Sequence, residues 1–129
     1  MEIPGFQLDG ANIISSTEAL ELQQIPENFV VIGGGVTGLE MATMYAELGS
    51  KVTVIEMLDQ LLPGVDIELV KVIERSFRRL GIDYHVKSKA KEYREDQVHA
   101  ILEDGKETSF PASKVMVSVG KTKQRQYRT

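Results

Sequence analysis

A glycine-rich segment that directly follows an apolar run constrains this chain more than any other feature. The run is Phe29–Ile32, and in the next segment, Gly33–Gly38, the glycines have the spacing G-x-G-x-x-G. A continuous apolar run of this length is typical of a strand buried on both faces of a parallel sheet. Residues 39–48 then show a helical pattern, which Gly49 ends. The sequence therefore predicts a buried strand, a tight turn and a helix.

The turn and the segment after the helix match the pattern of a dinucleotide site. Gly33 permits the tight turn, Gly35 lets a pyrophosphate approach the backbone, and Gly38 lets the helix pack closely on the sheet. Glu56 ends the next apolar segment, 18 positions after Gly38. Its carboxylate can accept hydrogen bonds from ribose hydroxyls and would repel a 2′-phosphate, so NAD is favoured over NADP. FAD sites and S-adenosylmethionine sites share parts of this pattern and stay open as alternatives.

The rest of the chain continues the alternation of strands and helices. Strands are predicted over 51–56, 82–86 and 115–119, and a helix capped by Asp66 runs to Leu80. Between residues 90 and 111 no helical period is present, and two short strands, 98–102 and 108–110, indicate a meander. The predicted fold class is α/β, a Rossmann-type parallel sheet with flanking helices and a small antiparallel β-meander.

The chain divides into three predicted parts. Residues 1–28 form a lead segment, in which Ser15 to Thr17 can cap a short helix that runs to Leu22. Residues 29–120 form the predicted Rossmann domain, for which NAD binding is the favoured interpretation. Residues 121–129 form a basic tail that we expect to be disordered.

Composition narrows the possible functions. The 129 residues fit one domain and contain no cysteine, which excludes thiol chemistry and thiolate metal sites and fits a cytoplasmic location. The basic tail carries four cations and no acid, so residues 1–120 have a net charge of −8. An acidic body argues against nucleic-acid binding. The sequence contains neither a long apolar stretch for a membrane span nor a signal peptide.

Three other polar residues could suggest a site and have simpler explanations. Glu40 falls in the first turn of the predicted helix, where a carboxylate stabilises the helix by about 0.3–1 kcal/mol. His85 and His99 are the only histidines. They lie in predicted strands without the spacing of a catalytic triad or a metal site, and we expect structural or surface roles for both.

Residues 25–40, 49–56 and 62–68 closely resemble the dihydrolipoyl dehydrogenase family of flavin disulfide reductases. The resemblance extends over about residues 4–120. It implies the NAD-binding domain of a larger flavoenzyme, in which electrons pass from dihydrolipoamide to a cysteine pair, to FAD and then to NAD⁺. The positions that match the family's cofactor-binding residues are Gly33, Gly34, Gly35, Val36, Thr37, Gly38, Glu40, Glu56, Ala90 and Gly120.

The resemblance also implies a role for several of these positions. Glu40 matches the family glutamate near the nicotinamide carboxamide, and Val36 matches a residue flanking the nicotinamide pocket. Glu56 matches the ribose acid. Ala90 falls near the position whose backbone faces adenine, and Gly120 matches the glycine that ends the last strand beside the nicotinamide.

The family's catalytic groups have no counterpart in this sequence. Its cysteine pair belongs to an upstream FAD domain, and its catalytic histidine–glutamate pair belongs to a downstream dimerisation domain. We therefore expect this chain to bind NAD(H) without catalysing a reaction alone. The implied partners are those two domains and, through the parent enzyme, a 2-oxoacid dehydrogenase complex. The alternatives are a free-standing NAD(H)-sensing module and the NAD(P) domain of a mercuric or glutathione reductase.

Overall fold

The computed structural model describes residues 5–62 and 64–118. They form eight strands: β1 (Ile13–Ile14), β2 (Asn28–Ile32), β3 (Lys51–Ile55), β4 (Asp83–His85), β5 (Lys89–Arg94), β6 (Gln97–Ile101), β7 (Glu107–Pro111) and β8 (Lys114–Val117). One sheet has the order β1-β8-β2-β3-β4 with every neighbouring pair parallel, and a second sheet has the antiparallel order β5-β6-β7. The predicted α/β fold with a parallel sheet and an antiparallel meander is confirmed.

Three helices connect the strands: α1 (Ser16–Ala19), α2 (Val36–Glu47) and α3 (Ile67–Leu80). The bounds predicted for α3 are confirmed, with Asp66 as its N-cap and Gly81 in the left-handed conformation (φ 78°) after its last residue. The first helix is a single capped turn that ends at Ala19 and not at Leu22. The next residue, Leu20, is 68% exposed, so a longer helix would not bury its side chain.

Helix α2 begins at Val36, three residues before the start that the sequence pattern predicts. Gly35 is extended (φ −80°, ψ −178°) and serves as the N-cap, so the helix begins at Val36 and contains Gly38. Packing explains the shift, because Gly38 and Ala42 are buried on the side of α2 that faces the sheet. The small side chains let the helix approach the strands closely.

The meander has three strands where the sequence indicated two. Strand β5 was missed because its residues, Lys-Ala-Lys-Glu-Tyr-Arg, are mostly charged and a bulge between Ala90 and Glu92 interrupts the alternation. The turn into β6 was also hard to recognise. Its two central residues, Glu95 and Asp96, have φ of 56° and 62°, a conformation that Asn-Gly or Asp-Gly adopts more readily.

The lead segment is more closely joined to the sheet than its polar sequence suggested. Strand β1 was not predicted, and it pairs in parallel with β8. Just before it, one carboxylate oxygen of Asp9 accepts the backbone N–H groups of Ala11, Asn12 and Ile13. Phe6 is fully buried in the core beside the meander. Residues 5–14 therefore contribute to the packing of both sheets.

The parallel sheet separates two hydrophobic cores. Phe29, Val31 and Val54 point toward the helices, whereas Val30 and Ile32 point toward the meander. Within residues 5–62 and 64–118, no helix is long and apolar enough to cross a membrane. The predicted last strand is confirmed as far as Val117, while residues 119–129, including the predicted tail, lie outside the described residues.

The strand order fixes where a ligand would be expected. The chain moves from β2 through α2 to β3 on one side, and β8 returns on the other side of β2 after the meander. In open α/β sheets, ligands bind in the crevice at the carboxyl ends of the strands where the order reverses in this way. In this protein that crevice lies at the ends of β2 and β8.

Candidate functional site

The turn after β2 has the geometry that the glycine spacing predicts. Gly33 has φ 113°, a left-handed conformation that side chains rarely adopt, and its N–H donates to the Ile55 carbonyl at 2.8 Å. Gly35 then caps α2. The first N–H groups of a helix have no partner within the helix, and they carry partial positive charge. The turn thus presents hydrogen-bond donors at the carboxyl edge of the sheet.

Gly38 holds α2 against the ends of two strands. A Cβ atom at this position would lie 2.6 Å from the Gly33 carbonyl oxygen and 2.9 Å from Oγ of Ser118. Ser118 follows β8, and its backbone N–H donates to the Ile32 carbonyl at 3.0 Å. A side chain at Gly38 would therefore push the helix away from the crevice between β2 and β8.

Glu56 follows β3 and points its carboxylate at the glycine turn. The residue is only 6% exposed. Its Oε1 accepts the Gly34 backbone N–H at 2.6 Å, and its Oε2 accepts the Leu58 backbone N–H at 2.7 Å. A carboxylate has about four acceptor positions, so each oxygen keeps capacity for one further donor. The side chain is satisfied while buried and can still accept hydrogen bonds from a ligand hydroxyl.

Both backbone polar groups of Gly34 are used within the protein. Its N–H donates to Glu56, and its carbonyl accepts the Leu62 backbone N–H at 2.7 Å. A Cβ atom on Gly34 would lie 3.1 Å from both the Glu56 carboxylate and the Leu61 side chain. Gly34 therefore contributes a narrow, fixed backbone to the turn. The contact with residues 61 and 62 was not foreseen, because their segment shows no periodic pattern in the sequence.

The residues on the first turns of α2 differ in exposure. Val36 is 61% exposed, Thr37 is half-buried and Glu40 is exposed. The prediction that Glu40 lies in the first turn of the helix and stabilises its terminus is wrong. Because α2 begins at Val36, Glu40 lies in its second turn, beyond the reach of that effect. The helix terminus therefore does not explain the position of this carboxylate.

Ala90 is 8% exposed and lies on β5, paired with Ala100, with its side chain in the core beside the meander. Only its backbone is available to face a ligand. A shallow cleft of about 640 Å³ opens nearby at the end of β4, lined by Tyr84, His85, Val86, Ser88, Leu102, Glu103 and Asp104. Gly120, predicted for the other side of the site, lies outside the described residues.

Both histidines contact side chains of β7. The His85 ring lies 5.1 Å from the Phe110 ring between centroids. His99 forms a 2.9 Å hydrogen bond through Nδ1 with the Ser109 hydroxyl. No group of three or more His, Asp or Glu side chains among residues 5–62 and 64–118 is arranged to hold a metal ion.

Comparison with known proteins gives a consistent set of relatives. The profile of the pyridine nucleotide-disulphide oxidoreductase family matches residues 1–128. Dihydrolipoyl dehydrogenase of Haloferax volcanii is 41% identical over 126 residues, covering 95% of this chain and 26% of that protein. Dihydrolipoamide dehydrogenase of Chaetomium thermophilum is 42% identical over 124 residues, covering 92% of this chain and 25% of that protein.

Solved structures agree with these sequence relatives. LpdA of Mycobacterium tuberculosis superposes with a TM-score of 0.77 at 30% identity, over 93% of this chain and 26% of that one. The flavoprotein disulfide reductase RclA of Escherichia coli superposes with a TM-score of 0.75 at 28% identity, over 93% of this chain and 27% of that one. The chain spans about a quarter of the length of the curated relatives it matches.

Proposed function

The chain belongs to the pyridine nucleotide-disulphide oxidoreductase family, and on that premise we propose that it is the NAD(H)-binding domain of a dihydrolipoyl dehydrogenase. In this proposal the whole enzyme oxidises dihydrolipoamide through a cysteine pair and FAD, and the domain holds the NAD⁺ that receives the hydride. The partners are the FAD and dimerisation domains and, through the enzyme, a 2-oxoacid dehydrogenase complex. The proposed location is the cytoplasm.

The contact between Glu56 and Gly34 is the observation that carries the proposal. It places a buried carboxylate with free acceptor capacity beside a turn whose next residues begin α2. A dinucleotide needs both features, because its pyrophosphate is anionic and its adenosine ribose carries hydroxyl donors. In the proposed complex the pyrophosphate accepts hydrogen bonds from the backbone N–H groups of Gly35, Val36 and Thr37. The ribose hydroxyls donate to Glu56.

The same geometry supports NAD over NADP. A 2′-phosphate would replace a hydroxyl donor by a group with only acceptors and about two negative charges, next to a buried carboxylate that is 6% exposed. Repulsion between like charges is large where water is largely excluded. The residues after Glu56 are the apolar Met57 and Leu58, which supply no cation to the phosphate.

The proposal gives the remaining site residues positions along the ligand. Val36 and Glu40, exposed on α2, lie toward the nicotinamide. Gly120 is assigned to the nicotinamide by its match to the family glycine alone. The backbone near Ala90 faces the adenine. The redox chemistry is supplied by the flavin of the whole enzyme. The 129-residue chain contains no cysteine, so we expect it to bind NAD(H) without oxidising dihydrolipoamide.

A single substitution at the turn tests the proposal. Gly35 has an extended backbone conformation (φ −80°, ψ −178°) that valine also adopts, so Gly35→Val should fold. Its side chain would occupy the space where the pyrophosphate approaches. We expect calorimetry to detect NADH binding by the wild-type chain and none by Gly35→Val, with similar circular dichroism spectra. A folded Gly35→Val chain that binds NADH as the wild type does would refute the assignment of the pyrophosphate site.

A further inference from the structure

We propose that Gln60 is a positioning residue for dinucleotide binding, acting on the glycine turn through the backbone of Leu62. Gln60 and Leu62 belong to the segment directly after Glu56, residues 57–62, which we call the Gln60 loop. The inference rests on the proposed function, since it concerns the same site. It assigns a role to a side chain that need not touch the ligand.

The first step is the contact between the Gln60 loop and the glycine turn. The Leu62 backbone N–H donates to the Gly34 carbonyl at 2.7 Å. The Gly34 carbonyl and the Gly35 N–H belong to one planar trans peptide unit, so they point in opposite directions. The hydrogen bond that fixes the carbonyl toward Leu62 therefore also fixes the direction of the Gly35 N–H. Gly35 is the residue at which the pyrophosphate is proposed to approach.

The second step concerns the conformation of Leu62. Its φ is 52°, in the left-handed region, although leucine has a Cβ atom and prefers other conformations. Such a conformation costs about 1–2 kcal/mol for an ordinary residue. It persists only where the surroundings hold it. Burial stabilises this conformation in part, because the Leu62 side chain is 9% exposed and packs in the core on the helix side of the sheet.

The third step is the side chain that holds the backbone around Leu62. Nε2 of Gln60 donates to the Leu62 carbonyl at 3.1 Å and to the Val65 carbonyl at 2.8 Å. The Val65 N–H in turn donates to the Leu62 carbonyl at 3.0 Å. An amide nitrogen has two donor hydrogens, and here one nitrogen links two carbonyls. Glutamate and methionine have similar length but lack these donors.

These contacts form a chain from Gln60 to the proposed pyrophosphate site. Gln60 holds the Leu62 carbonyl, the Leu62 N–H holds the Gly34 carbonyl, and that peptide orients the Gly35 N–H. Glu56 holds the same turn from its other backbone group, the Gly34 N–H. Loss of Gln60 should therefore weaken the contacts with the pyrophosphate and spare the contacts between ribose and Glu56.

The test compares two ligands on two variants of the 129-residue chain. Gln60→Met keeps the length of the side chain and removes both donors. Gln97→Met, at an exposed position on the meander, is the matched control. NMR titrations would measure the Kd of ADP-ribose, which contains the pyrophosphate, and of adenosine, which does not. Hydrogen exchange would follow the Leu62 amide.

We expect Gln60→Met to raise the Kd of ADP-ribose about 3- to 10-fold, the loss of roughly one hydrogen bond. The Kd of adenosine should stay within about twofold, since its ribose contacts do not involve the lost bond. The Leu62 amide should exchange faster, and Gln97→Met should match the wild type in all three measurements. If Gln60→Met does not fold, Gln60→Asn, whose shorter amide cannot reach both carbonyls, should show the same selective loss.

An unchanged Kd for ADP-ribose in Gln60→Met would overturn the inference while leaving the proposed function intact. So would an equal loss of both ligands, which would indicate a merely structural role. Failure of the wild-type chain to bind ADP-ribose would instead refute the proposed function, and the inference with it.

Discussion

The carboxylate of Glu56 accepts the backbone N–H of Gly34 at 2.6 Å, although the two residues are 22 positions apart. This bond joins the end of β3 to the turn after β2, so the acid and the glycine turn form one structural unit. A buried carboxylate normally requires partners, and two backbone N–H groups provide them here. The same residue can thus shape the turn and keep acceptor positions for a ribose.

Substitution of Glu56 should therefore affect both binding and stability. Glu56→Ala removes the proposed ribose acceptor and should weaken NADH binding by about 1.5–3 kcal/mol, the range for a hydrogen bond to a charged group. It also leaves the buried Gly34 N–H without its partner, which should lower the free energy of unfolding by about 1–3 kcal/mol. Calorimetry and urea denaturation measure the two effects.

The control for this substitution is Glu47→Ala, which removes an exposed carboxylate near the end of α2. It should change neither quantity by more than about 0.5 kcal/mol. If Glu56→Ala binds NADH with wild-type affinity, the assignment of the ribose acceptor is wrong.

Gly38→Ala should destabilise the fold even though alanine is the better helix former. Propensity alone would raise the stability of α2 by about 1 kcal/mol. The added Cβ would lie 2.6 Å from the Gly33 carbonyl oxygen and 2.9 Å from the Ser118 hydroxyl, so the helix must shift. We expect a net loss of about 1–3 kcal/mol in the free energy of unfolding. If urea denaturation gives Gly38→Ala a higher free energy of unfolding than the wild type, α2 does not pack this closely.

Tyr45 should give the chain a dependence of stability on alkaline pH. Its hydroxyl donates to the Ala19 carbonyl at 2.6 Å, which ties α2 to α1, and burial raises the pKa of Tyr45 above its ordinary value of 10.0. The folded chain then keeps the proton that the unfolded chain loses. The contribution of Tyr45 is full below pH 10 and falls as the pH rises above it.

The comparison for this effect is Tyr45→Phe. At pH 7 it should lower the free energy of unfolding by about 1 kcal/mol, because the hydrogen bond is lost. Above pH 10 the free energy of unfolding of Tyr45→Phe should fall less steeply than that of the wild type. It should still fall to some extent, because burial also raises the pKa of Tyr93, which both proteins contain. Parallel pH profiles for the two proteins would contradict the role assigned to the hydroxyl.

The sequence was sufficient for the parallel sheet and for the glycine turn, because these depend on local apolar runs and on residues with unusual backbone freedom. It could not show that Glu56 bonds to Gly34 or that Leu62 bonds to the same residue. Those contacts arise only when β2 and β3 pair in register. Strands β1 and β5 were missed for a related reason, since two residues or a charged, bulged segment carry little pattern without their partners.

Titration of the 129-residue chain with NADH, NADPH and FAD under identical conditions tests the central claim most directly. Calorimetry should show NADH binding more tightly than NADPH, by a margin that shrinks in Glu56→Gln, and no specific binding of FAD. The reason for the margin is the negative charge of Glu56 beside the position of the 2′-phosphate. Equal or tighter binding of NADPH, or specific binding of FAD in place of NADH, would contradict the assignment of this domain to NAD(H).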